Sequence, residues 1–162
     1  MIRFHWKYIA LPVAVFFLSL ILTACFYPVL PSEVAYHFKG GIPDKWLSRG
    51  AITAWILVPQ FLLTLLAGVM VWGISRFSNR FQPTTSRWVG KLFSIMGNMI
   101  ALPQIILGFA MLDIFSYNSY QTHLMPLWVF AVIVMGLGGT ILGIFFILAI
   151  RGVLGTTRGS TR

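Results

Sequence analysis

Acidic side chains are almost missing from this sequence: Glu33, Asp44 and Asp113 stand alone among 162 residues, against 12 Lys and Arg. Charge of either sign is scarce, at 9% of residues where soluble domains carry roughly 25%. With 58% hydrophobic residues, a water-soluble fold has no means of hiding the apolar surface. Only one cysteine is present, Cys25, which excludes an intramolecular disulfide framework and any multi-cysteine metal site, since both need a second thiolate. The apolar runs also lack a serine–histidine–acid set, paired carboxylates or a histidine cluster, and catalysis by nucleophile or metal needs such groups converging. The expectation is a protein that is not an enzyme and holds no cofactor and no metal.

What is present in abundance is length of apolar run. A helix rises about 1.5 Å per residue and the hydrocarbon core is about 30 Å thick, so roughly twenty uncharged apolar residues make a span. Four segments qualify, approximately Ile9 to Phe26, Ile52 to Ile74, Leu92 to Leu112 and Leu127 to Ile150, and none contains Asp, Glu, Lys, Arg or His. The expected fold class is an all-α integral membrane protein, a four-transmembrane-helix bundle occupying residues 1–154 with an ordered outer loop at 27–50. Residues 155–162, rich in Gly, Ser and Thr, are expected to form a disordered tail.

The net charge of +9 does not indicate nucleic acid, because the basic residues sit in short clusters between apolar runs instead of on one polar face. Their placement reads as a topology signal. Arg3 and Lys7, Arg76, Arg80, Arg87 and Lys91, and Arg151, Arg158 and Arg162 share one side of the membrane, while all three acids, with Lys39, Lys45 and Arg49, fall on the other. The positive-inside rule puts both termini on the cytoplasmic side of the membrane. Trp6, Trp46, Trp72, Trp88 and Trp128 near the span ends suit the bilayer interface. Leu22-Thr23-Ala24-Cys25 has two readings: the end of an ordinary first helix, or a lipoprotein signal preceding a lipid-modified cysteine.

Within the spans, Pro59-Gln60 and Pro103-Gln104 form two Pro-Gln pairs at similar depth. Proline frees a helix carbonyl and glutamine in hydrocarbon needs a partner, so each pair marks a kink facing protein. They either glue two helices together or line a small-solute path. Asn98 is expected to make a further interhelical hydrogen bond, and Gly139 with Gly143 gives a small-xxx-small face for helix packing, within the bundle or in a homo-oligomer. The lipid bilayer is the first expected partner, with the basic inner loop suited to anionic head groups.

The most distinctive stretch is the first outer loop, Tyr27 to Arg49. Pro28 and Pro31 favour an extended exit from the first helix, residues 34–38 alternate as a short strand does, Gly40-Gly41 and Pro43-Asp44 supply turns, and Ser48 caps the approach to the second helix. The pattern Leu30-Pro31, Val34, His37-Phe38, Gly40-Gly41, Pro43-Asp44 and Trp46 with Ser48-Arg49 resembles the bacterial domain of unknown function 1648. That resemblance implies a kinship with the N-terminal part of SdpI-type immunity membrane proteins, which have no known enzymatic activity. The second, immunity-type domain of the longer relatives has no convincing counterpart in this chain.

His37 and Asp44, with Glu33, Asp113 and His123 on the same side, either assemble a site for a metal or a peptide amine, or hold the loop's own turns by hydrogen bonds, Asp113 then pairing with Lys39, Lys45 or Arg49. Two function classes follow. One is a non-enzymatic interaction protein, sensing or blocking an extracytoplasmic peptide or serving as a small accessory subunit of a larger membrane protein. The other is an oligomeric transporter or channel component using the Pro-Gln kinks.

Overall fold

In a computed structural model of the chain, residues 8–81 and 95–158 are described. Expectations that rest on Arg3, Lys7, Trp6, Arg87, Lys91 and Trp88 lie outside those residues. Helix α1 spans Ala10–Phe26, followed by strands β1 (Glu33–Lys39) and β2 (Ile42–Ser48), then α2 (Arg49–Phe81), α3 (Ala101–Tyr120) and α4 (Leu127–Arg158). A short helical turn at 95–99 leads into α3, and together they make one apolar stretch, Ile95–Tyr120.

Three helical stretches are long and apolar enough to cross a membrane: Arg49–Gly73, Ile95–Tyr120 and Leu127–Leu148. Helix α1 is equally apolar but has 17 residues, about 26 Å at 1.5 Å per residue, the short end of what a crossing needs. The fold is thus a mostly helical membrane protein with a small antiparallel hairpin.

Helices α1, α2 and α3 pack on one another, whereas α4 packs against α3. The α3–α4 contact is made by stacked Phe109 and Phe130, with centroids 3.9 Å apart, and by Gly138, where a Cβ would collide with Leu102. Gly97 marks a second close crossing, since a Cβ there would strike the Tyr8 carbonyl and Val71. Two apolar clusters hold the three-helix unit. Leu30, Val34, Ile52, Ile56, Met111 and Phe115 fill the end beneath the hairpin, and Tyr8, Ile9, Ala67 and Val71 fill the opposite end. The buried polar residues Ser19, Gln60 and Gln104 occupy the interval between.

Several boundaries differ from the sequence expectation. α3 continues two turns beyond Leu112, because Asp113, which ends the uncharged run, has its carboxylate bonded within the fold. It stops at Gln121, whose positive φ of 55° and N–H to the Tyr117 carbonyl form a left-handed cap. Pro28 lies in a turn, not an extended exit, with the Val29 and Leu30 N–H groups both donating to the Phe26 carbonyl. Pro43-Asp44 sits inside β2 and makes no turn; a two-stranded sheet has only edge strands, so proline need not break the ladder. α4 runs to Arg158, so the part of the expected disordered tail at 155–158 is helical, and 159–162 lie outside the described residues.

Candidate functional site: a hairpin clamped to the end of the bundle

The hairpin turns at Gly40 and Gly41, both with positive φ (61° and 82°), a conformation that costs any residue with a Cβ. Its ladder runs from Glu33 opposite Ser48 to Lys39 opposite Ile42, and is twice irregular. Tyr36 is left without an opposite residue between the pairs Ala35–Trp46 and His37–Lys45, and Asp44 likewise between His37–Lys45 and Phe38–Pro43. Bulges re-aim side chains. Here Asp44 reaches back across the hairpin to His37, Oδ1 to Nδ1 2.5 Å, on the exposed side.

The free edge of β1 is fixed to α3. Val34 and Ala35 are fully buried, and the Asn118 carboxamide treats the backbone of Ala35 as a neighbouring strand would: the Ala35 N–H donates to Oδ1 and Nδ2 donates to the Ala35 carbonyl, both at 2.8 Å. Nδ2 also donates to the carbonyl of Ile114 one turn earlier, which fixes the rotamer. Nearer the hairpin tip, Phe38, Tyr117 and His123 form a trio of rings with centroids 4.5–4.6 Å apart. His123 Nδ1 lies 3.2 Å from Asp113 Oδ2, and the Leu124 N–H donates to Asp113 Oδ1 at 2.8 Å. Asp113 therefore ties the α3–α4 connection to α3. The expected pairing with Lys39, Lys45 or Arg49 is replaced by this His123 contact.

The other face of the hairpin is open. Ile42 is 71% exposed and Trp46 53%, beside exposed His37, Asp44 and Lys45. Leu30 is buried in the cluster below, Pro31 is exposed in the connection, and the Arg49 guanidinium stands 5.1 Å from the centre of the Tyr27 ring, joining the start of α2 to the exit of α1. The Arg49 N–H donates to the Ser32 carbonyl, and the Ala51 N–H donates to Ser48 Oγ at the first turn of α2. Among the described residues no group of three or more His, Cys, Asp or Glu side chains gathers as a metal would require. The residues singled out in the loop are thus brought together in the hairpin, but Glu33, Asp113 and His123 do not converge on His37 and Asp44. Cys25 is exposed near the end of α1 with a free thiol.

Inside the bundle, the two Pro-Gln pairs meet. Gln60 Nε2 donates to the Gln104 carbonyl at 3.0 Å, and Gln104 Nε2 donates back to the Gln60 carbonyl at 3.1 Å and to Thr64 Oγ1 at 2.8 Å. Both glutamines are completely buried, and both side-chain oxygens lack a hydrogen-bond partner. Pro59 lies inside α2, and the groove beside it, about 360 Å³, is walled by Ala51, Ala54, Trp55, Val58 and Pro59. Pro103 falls in the first turn of α3, where a missing N–H costs nothing. Asn98 acts at the opposite end from the hairpin: its Oδ1 accepts the Leu11 N–H, one of the donors that the first turn of α1 leaves without an intrahelical partner. Gly139 and Gly143, with Gly136, face away from the three-helix unit, with no atom within 4 Å of where a Cβ would stand.

Asn118 was not distinguishable in the sequence. It is one polar residue in the run Tyr117-Asn118-Ser119-Tyr120, and only the fold reveals that its carboxamide faces a strand.

No curated protein and no solved structure matches the chain. Residues 14–59, which begin within α1, take in the whole hairpin and end at the Pro59 of α2, match the family model "Domain of unknown function (DUF1648)". Over those residues, the hairpin and the helix segments joined to it, the chain is similar to that family.

Proposed function

We propose that this is a non-enzymatic, multi-pass protein of the bacterial cytoplasmic membrane that binds a partner through its hairpin. In this reading α1 crosses the bilayer with the three longer helices, both termini are cytoplasmic, and the hairpin lies outside. The observation that carries it is the two-sidedness of the hairpin. Its free edge is held by Asn118 and Phe38 packs on Tyr117, while Ile42, Trp46 and the His37–Asp44 pair are open to solvent. Exposed aromatic and aliphatic groups beside a hydrogen-bonded polar pair are the composition of a recognition surface. An extracytoplasmic peptide or the outer segment of a larger membrane protein fits such a surface.

The test is capture of partners from gently solubilised membranes with a photo-crosslinker at position 46. A discrete adduct that disappears with Ile42→Ser supports the reading. A monomer that crosslinks to nothing sinks it. Topology is read separately, by reporter fusions at Gly41 and after Arg162; both reporters on one side would overturn the orientation.

A second reading, an oligomeric transporter or channel component, is favoured by the buried polar interval at Gln60 and Gln104 and by the outward small-residue face of α4. Solute flux through vesicles carrying Gln60→Leu and Gln104→Leu tests it. Unchanged flux in folded variants removes these residues from any path.

A further inference from the structure

The two edges of the hairpin are treated differently. In an antiparallel pair, residues whose N–H and carbonyl point at the opposite strand alternate with residues whose groups point away. Ala35 spends both groups on Asn118, so they point away from β2, and those of Trp46, directly opposite, point away from β1. A second contact fixes the same phase. The Arg49 N–H donates to the Ser32 carbonyl, which makes Ser32–Arg49 and Val34–Leu47 the inward-facing rungs and turns the Ser48 N–H outward with Trp46. Among the described residues nothing outside the ladder bonds to the Trp46 backbone or to the Ser48 N–H.

Only part of this edge is open. Lys39 and Ile42 close a two-residue turn with positive φ at both glycines, so they face each other and Pro43 faces outward, where it has no N–H to offer. Between Pro43 and Trp46 the Asp44 bulge adds one residue too many for a straight ladder. Proline and bulges are devices by which edge strands refuse pairing. That protection ends before Trp46. From there to Ser48 the edge keeps two N–H groups and a carbonyl at strand spacing, and no carboxamide covers them as Asn118 covers Ala35.

A backbone fits these groups. Two copies of β2 laid antiparallel with Trp46 opposite Trp46 would set each Ser48 against the other copy's Asp44, the bulged residue, and the ladder would end after one rung. A separate extended peptide has no such bulge. It can run from Trp46 to Ser48, with the exposed Trp46 ring against a β-branched side chain across the new pair. Given the hairpin as the binding surface, on which this step rests, we propose that the free edge of β2 takes an extended extracytoplasmic peptide as a third strand, in register on Trp46.

The experiment uses the full chain in lipid nanodiscs, with amide exchange read residue by residue before and after addition of a synthetic octapeptide of alternating Thr and Val. In the free chain Trp46 and Ser48 are expected to exchange freely while Ala35 and Leu47 are protected. The octapeptide should slow Trp46 and Ser48 at least threefold and leave Ala35 unchanged, and its form N-methylated at every residue should not bind. Ser48→Pro removes the outward N–H where proline suits the start of α2, and is expected to weaken octapeptide binding at least fivefold. Ser48→Ala, which loses the hydroxyl that accepts from Ala51 but keeps the N–H, should bind as the unaltered chain does. Amides at 46 and 48 that are already protected, that become protected as protein concentration rises, or that ignore the octapeptide overturn the proposal, as does binding that Ser48→Pro leaves unchanged. A crosslinker at position 46 that still captures a discrete adduct while the octapeptide leaves both amides untouched removes strand addition and leaves the hairpin as a binding surface standing.

Discussion

The Asn118–Ala35 clamp and the Gln60–Gln104 exchange use one chemistry, a carboxamide set against backbone, yet they differ in what depends on the side chain. At the hairpin, the backbone N–H and carbonyl of a fully buried residue both look to one carboxamide. In the bundle, each glutamine donates to the main-chain carbonyl of the other, a carbonyl that any residue would supply. Removing Asn118 strands two backbone groups. Removing one glutamine strands little, because the survivor keeps its acceptor. Burial alone therefore ranks the two junctions in the wrong order, and the identity of the orphaned groups decides.

That contrast is open to test. Asn118→Ala is expected to destabilise the fold by about 2–3 kcal/mol, from two buried groups losing their partner, and to expose the Ala35 amide to hydrogen exchange. A cost below that of Gln104→Leu would invert the ranking. Gly41→Ala should cost about 1–2 kcal/mol through its left-handed backbone, with a loosened hairpin seen in the Trp46 fluorescence and unchanged helix content. Gln104→Leu is expected to cost about 0.6–1.7 kcal/mol, the range of interhelical hydrogen bonds in membranes. A double-mutant cycle with Gln60→Leu in detergent unfolding should be close to additive, and a coupling energy as large as either single effect would mean the amides depend on each other after all. The smallest effect is expected from His123→Ala, about 0.5–1.5 kcal/mol from the lost ring contacts, confined to the exchange rates of the α3–α4 connection.

How far the fold was legible follows from the same contrast. The three long apolar helices were readable because apolar length is a property of each segment alone, and residues 34–38 read as a strand, though in β1 both Val34 and Ala35 are buried and two register irregularities break the alternation. The Gly40-Gly41 turn was legible for a local reason, the positive φ that glycine permits. β2 was obscured by Pro43-Asp44, a pair that reads as a turn and becomes an edge-strand bulge only when β1 lies beside it. The end of α3 was hidden because Asp113 ends an uncharged run, and its acceptors are filled by a residue ten positions later and by the next one along the chain. Gln60 and Gln104 stood out as polar residues in hydrocarbon. Asn118, in a polar run at a helix end, gave no such contrast, and the partner that gives it a role is 83 positions away.

The third helical stretch carries its carboxamides at three levels: Asn98 on the first turn of α1, Gln104 on α2, and Asn118 on the hairpin. From Asn98 to Asn118 the distance is about 30 Å at helical rise. Each is set to one register of a different partner, so sliding this helix along its own axis by a single residue would break all three at once. The helix is pinned like a ruler at both ends and the middle. Of the three pins, only Asn118 holds the hairpin, so any displacement of the hairpin away from this helix must first break the Asn118–Ala35 contact.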